Sequence, residues 1–155
     1  MSARAWLHLA AVIAPLLAAA LWSVLMASAN GGIAWQPLLI FGAIGTICAQ
    51  LAVLPRWRAL ERRTREGHGV WRTGLGMAFV THVLFGFTCV ALLFLGGAGW
   101  QNPGPGSGVS DLLVQVLFFF AASLFSLGFI TLPATALLAD RIAVLRRREL
   151  ARAGE

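Results

Sequence analysis

Residues 73–99 read TGLGMAFVTHVLFGFTCVALLFLGGAG, and residues 55–72 immediately before them read PRWRALERRTREGHGVWR. The first stretch holds no carboxylate, lysine or arginine. It is longer than the roughly 20 apolar residues needed to cross a hydrocarbon core. The second holds Arg56, Arg58, Arg62, Arg63, Arg65 and Arg72 with Glu61 and Glu66. An uncharged run beside a densely basic one is the pattern of a membrane span and its flank.

Working outwards, three further apolar runs cover about 5–29, 35–54 and 111–139. They are continuous, not alternating. In hydrocarbon the backbone must satisfy its own hydrogen bonds, so continuous runs imply helices. The expected fold is all-α: an integral membrane four-helix bundle of two hairpins, forming one domain over residues 1–155. A basic loop spans 55–72 and a basic tail 140–155. Ala27-Ser28-Ala29 has the small-residue character of a signal-peptide cleavage site. The preceding run is too long for an h-region of about 7–15 residues, so it is expected to remain as a span.

Composition agrees. The chain is 59% hydrophobic and 12% charged, with a mean hydropathy of +0.80. Soluble domains carry about 25% charged residues. The net charge is +6, and all 12 basic residues are arginine. Their placement beside apolar runs makes them topology determinants rather than a nucleic-acid surface.

Arg4 precedes the first run, six arginines fill the middle loop, and Arg141, Arg146, Arg147, Arg148 and Arg152 lie in or next to the tail. The connections at 31–34 and 100–110 carry no charge. The positive-inside rule therefore puts both termini and the middle loop in the cytoplasm, with a bacterial inner (cytoplasmic) membrane as the expected location. Trp6, Trp57 and Trp71 fall at the inner interface on this reading, and Trp35 and Trp100 at the outer one, as an aromatic belt requires. Arg56, Arg58, Arg62, Arg63, Arg65, Arg72, Arg141, Arg146, Arg147 and Arg148 are the expected contacts for anionic headgroups or a protein partner. Pro55 suits the start of a short interfacial helix, with Trp57 and Leu60 sharing a face. The fourth span is expected to run on into the tail. An apolar stripe there would join Ile142, Leu145 and Leu150, and Pro133 would kink the helix.

The halves share a faint likeness. Gly31-Gly32-Ile33-Ala34-Trp35-Gln36-Pro37 parallels Gly96-Gly97-Ala98-Gly99-Trp100-Gln101 with Pro103, and Leu54-Pro55 before arginines parallels Leu132-Pro133. This is either a tandem repeat, as in parallel-repeat transporters, or the chemistry any hairpin uses.

His82 is the only ionisable side chain, thiols aside, deep in a span, about 13 Å from the inner interface at 1.5 Å per residue. Gly74, Ala78, His82 and Gly86 recur every fourth residue, so a neighbouring helix can approach along this seam. Gly42 and Gly45 offer a second close contact. Either His82 is interhelical glue, bonded to a carbonyl or to one of Thr81, Thr88, Ser123, Ser126, Thr131 and Gln50, or it is functional. With His8 it would supply ligands for a haem; otherwise no cofactor and no metal site is expected. Cys48 and Cys89 read as buried thiols. No Asp or Glu lies well inside a span, which disfavours proton-coupled transport. No G-x-S-x-G, H-E-x-x-H or Walker motif is present.

Three functions remain open. The first is a non-enzymatic accessory, assembly or scaffold subunit of a larger membrane complex, its partners being anionic lipid and other subunits or further copies of itself. The second is a small oligomeric transporter or channel. The third is a haem- or lipid-handling protein using His82 and His8. The first fits the missing catalytic groups and the arginine-rich face best. The arginine reading predicts that a tag at Glu155 is reached by an impermeant reagent only after the membrane is opened; labelling in intact cells would overturn it.

Overall fold

The computed structural model describes residues 2–30, 35–96 and 108–154, with backbone alone at 25, 26, 28–30 and 35–38. Helix α1 is Ala3–Asn30, α2 Trp35–Arg65 and α3 Trp71–Leu95. Helix α4, Val109–Ser123, passes through a π-helical turn at Leu124–Gly128 into α5, Phe129–Ala153. The last three form one rod, so four helical rods are long and apolar enough to cross a membrane. The described residues contain no strand.

The rods pack in sequence: α1 on α2, α2 on α3, and α3 on both α4 and α5. Helix α1 returns to touch α5, but α1 and α4 scarcely meet. The bundle is thus closed at one end and parted along one side. At the closed end Ala3 and Leu7 of α1, Leu60 of α2, Met77 of α3 and Ile142 of α5 form one buried cluster with Val70. The start of α1 and the end of α5 meet there, where Ala3 bonds to Glu149.

Two contacts set the helix spacing. A Cβ on Gly74 would lie 2.6 Å from the Thr135 carbonyl oxygen of α5. One on Gly86 would lie 2.8 Å from the Val116 carbonyl oxygen of α4. Ala78 and His82, between them, are buried on the same face. Helix α2 approaches α1 in a similar way, since a Cβ on Gly42 would meet Leu16 and one on Gly45 would meet Pro15, each at 3.1 Å.

Several sequence expectations are corrected. No interfacial helix starts at Pro55, because α2 runs unbroken for 31 residues with Pro55 inside it. Proline removes one ladder bond. Packing on either side outweighs that loss: Ala52 and Leu60 are both fully buried. At 1.5 Å per residue α2 is about 46 Å long, so its basic end projects beyond a core of about 30 Å. Helix α3 ends at Leu95, where Gly96 caps it, rather than at Gly99. The fourth rod does continue into the tail, but the buried stripe is Ala139, Ile142 and Ala143, with Leu145 at 36% exposure. The rod also contains a π turn that the sequence did not announce, N-terminal to Pro133. The glycine–tryptophan likeness of the halves and the Trp100 anchor lie largely outside the described residues, as does the Trp35 side chain.

The spacing argument predicts that Gly86→Ala, which meets backbone, costs about 1–3 kcal/mol. Gly42→Ala meets no backbone, only the end of the Leu16 side chain and, at ordinary contact distance, the Ala19 methyl, and should cost less. Thermal unfolding of the two variants in the same detergent ranks them; equal midpoints would contradict the close approach.

Candidate functional site

Inside the parted side lies a cavity of about 310 Å³. That is the lower end of the range of about 300–1,000 Å³ for small-molecule sites. Space is left because α1 turns mainly small groups toward it between Leu7 and Trp22, Ala10, Ala11, Ala14, Pro15 and Ala18 among them, and α2 adds Gly45 and Ala49. The polar groups of the lining are on the opposite side. It carries His82 and Thr81 from α3, Ser123 from α4, Ser126 from the π turn, and Thr131 and Thr135 from α5.

His82 is held at both ring nitrogens. Nδ1 pairs with Ser123 Oγ at 2.7 Å and Nε2 with Thr131 Oγ1 at 2.9 Å. A neutral imidazole has one donor and one acceptor nitrogen, and a hydroxyl can be either, so the set is satisfied without charge. The π turn makes this possible. Over eight residues an α-helix advances about 800°, which would leave Thr131 about 80° round from Ser123. Absorbing one residue in a π turn brings the advance to about 700°, within about 20° of two full turns. Both hydroxyls therefore face α3. Gly128 completes the fit, since a Cβ there would meet Leu124 at 2.8 Å and approach His82 Nε2 at 3.8 Å. Thr81 and Thr135 bond to carbonyls of their own helices, those of Met77 and Thr131.

Ser123 beside His82 has the geometry of a nucleophile and its base. The third member of a triad is a carboxylate, which stabilises the imidazolium formed during catalysis. Here that place is taken by Thr131, a hydroxyl, which cannot offset a full positive charge in an apolar surround. The arrangement joins α3 to α4 and α5 as a polar clamp.

The structure does not bring His8 to His82. His8 Nδ1 pairs with Gln50 Oε1 at 2.8 Å, and Gln50 Nε2 donates to the His8 carbonyl at 2.9 Å, joining α1 to α2. His8 is not part of the cavity lining. Cys48 and Cys89 are buried free thiols, with Cys48 Sγ 3.5 Å from Thr88 Oγ1. No group of three or more His, Cys, Asp or Glu able to hold a metal occurs among the described residues.

A second constellation lies beyond the apolar parts of the rods. Arg146 donates from Nη1 to Glu149 Oε2 at 3.0 Å and from Nη2 to Glu61 Oε1 at 2.5 Å. Arg65 also donates to Glu61, at 3.1 Å. The Ala3 backbone N–H donates to Glu149 Oε1 at 2.6 Å. This clasp ties α1, α2 and α5 together. Arg146, grouped with outward contacts in the sequence, instead lies on the buried stripe, three residues after Ala143. Hydrogen bonds from Arg146 and then Arg65 hold the Glu61 carboxyl below its usual range. The Ala3 N–H and then Arg146 do the same for Glu149.

The remaining interfacial groups are mixed. Trp6 and Trp71 are each 46% exposed, Arg72 lies over the Trp71 ring at 5.3 Å, and Trp57 packs on the buried cluster. The Arg56 guanidinium rests against Gly76 of α3. Sequence reasoning missed Trp22 as part of the cavity wall, and missed the cavity itself.

No family model, curated protein or solved structure matches this chain.

Two outcomes follow from this geometry. His82→Leu leaves Ser123 and Thr131 without their partner and should cost about 1–2 kcal/mol, whereas His68→Leu, on an exposed turn, should be near neutral; unfolding midpoints in detergent compare them. For the clasp, both carboxyl pKa values are lowered by folding. Its stabilisation is therefore full above the ordinary Glu value of about 4.3 and is lost as pH falls through the lower folded value. The gap in unfolding midpoint between the parent and Arg146→Gln should close below about pH 4; a gap that widens in acid would refute the clasp.

Proposed function

We propose that this chain is a non-enzymatic accessory subunit of a bacterial inner-membrane complex, with both termini cytoplasmic, whose arginine-bearing helix ends dock an acidic segment of a partner subunit. One observation carries the reading. Among the described residues, Arg58, Arg62, Arg63, Arg141, Arg147 and Arg148 have no carboxylate within 4.0 Å, whereas Glu61 and Glu149 pair with Arg146 and Arg65. These arginines ride on α2 and α5, which continue as regular helix past their apolar stretches.

Guanidinium groups bind carboxylates in bidentate fashion and lose little hydration in doing so. Arginines spaced along two regular helices form a platform that is ordered before a partner arrives, which lowers the entropic cost of binding. The polar clamp at His82 fits the same role, since it joins helices without supplying a charged catalytic group. The cavity beside it favours a second reading, in which the chain handles a lipid-soluble molecule.

Purification in mild detergent followed by mass spectrometry tests the proposal. The parent should carry stoichiometric membrane subunits that are lost when Arg147 and Arg148 are both changed to Gln. Retention of only anionic lipid, with no protein partner, would overturn it. So would solute accumulation by proteoliposomes containing this chain alone, or a haem absorption band that disappears in His82→Ala.

A further inference from the structure

We propose that the cavity beside His82 is a binding site for a neutral lipid-soluble amphiphile: a single apolar chain ending in one hydroxyl or carbonyl group, entering sideways between α1 and α4. This inference does not depend on the arginine platform.

Three features of the cavity set the ligand class. Among the described residues no Asp, Glu, Lys or Arg lines it, so a charged headgroup would enter without a counter-ion. Its volume of about 310 Å³ suits one chain rather than a two-chain phospholipid. Its polar groups lie along one wall while the other walls are apolar, which matches a molecule polar at one end only.

The anchor is the clamp. Ser123 and Thr131 each form one hydrogen bond to His82, and a hydroxyl has one donor and two acceptor positions. Each therefore keeps capacity to meet a ligand. Ser126, presented to the same space by the π turn, makes no side-chain hydrogen bond among the described residues. Thr81 and Thr135, by contrast, are engaged by their own helices. The π turn thus serves the polar wall specifically, as such turns often do at binding sites.

The route in is lateral. Helices α1 and α4 scarcely touch, although both line the cavity. Ala14 of α1 and Ala122 of α4 belong to the lining and are nevertheless exposed, so the space communicates with the outside of the bundle between them. In a bilayer that outside is acyl chain, where an amphiphile of this kind is already dissolved.

The test uses the full chain in nanodiscs and hexadecanol carrying a photoactivatable diazirine in its chain, with labelled residues mapped by mass spectrometry. Labelling of the α1 and α4 walls should saturate and be competed by unlabelled hexadecanol. It should be abolished by a plug from either side, Ala18→Phe or Ala122→Phe. Removing the anchoring hydroxyls in Ser123→Ala/Thr131→Val should weaken apparent affinity about tenfold, the equivalent of one hydrogen bond. If a plug variant fails to fold, the other decides, and competition on the parent decides without either. Three results overturn the proposal: labelling that does not saturate, equal labelling by the matching diazirine alkane without a hydroxyl, or equal labelling of the same walls by a diazirine phosphatidylglycerol.

Discussion

Helix α3 can lie as close to α4 and α5 as it does only because two carbon atoms are missing from it. A side chain at Gly74 or Gly86 would run into a backbone carbonyl, not into a side chain able to turn away. In a bilayer, apolar burial gives no net drive for helices to associate, so close packing and interhelical hydrogen bonds must hold the bundle. The two glycines allow the approach, and His82, on the same face between them, uses it by bonding to Ser123 and Thr131. The π turn follows from the same constraint. With regular α-helix between them, only one of these hydroxyls would face the ring.

The two ends of the bundle are built differently. At the arginine-bearing end, large side chains such as Leu60, Met77 and Ile142 are buried together, and the Arg146 clasp crosses three helices. Toward the middle, α1 offers alanines where leucines would fill the space, and its large residues Leu16, Leu17 and Leu21 are exposed instead. Small groups inward and large groups outward leave a cavity rather than a filled core. A rigid base beneath an open, partly polar interior suits a protein that both holds a partner and admits a small molecule.

Much of this was legible in the chain. Each apolar run became a helix because hydrocarbon leaves the backbone no other open choice. The small-residue seam and Gly42 with Gly45 were readable because helical periodicity places such residues on one face. The reading at Pro55 went astray because a proline signal is local, while the packing of Ala52 and Leu60 against other helices is not. Arg146 was indistinguishable from Arg147 and Arg148 by type and neighbourhood. Only the direction in which α5 faces its neighbours separates the residue inside the clasp from those outside it.

The sequence by itself determined the number of helices, their approximate limits, the collection of positive charge in the middle loop and around the termini, and the burial of His82. These depend on composition and periodicity, which act within one helix. The tertiary structure decided which hydroxyls meet His82, that the fourth rod absorbs an extra residue to present them, and that α1 and α4 part around a cavity. It also decided that Arg146 closes the base. Each of those outcomes depends on how two or more helices are rotated and spaced against one another, and that information is not contained in any single stretch of the chain.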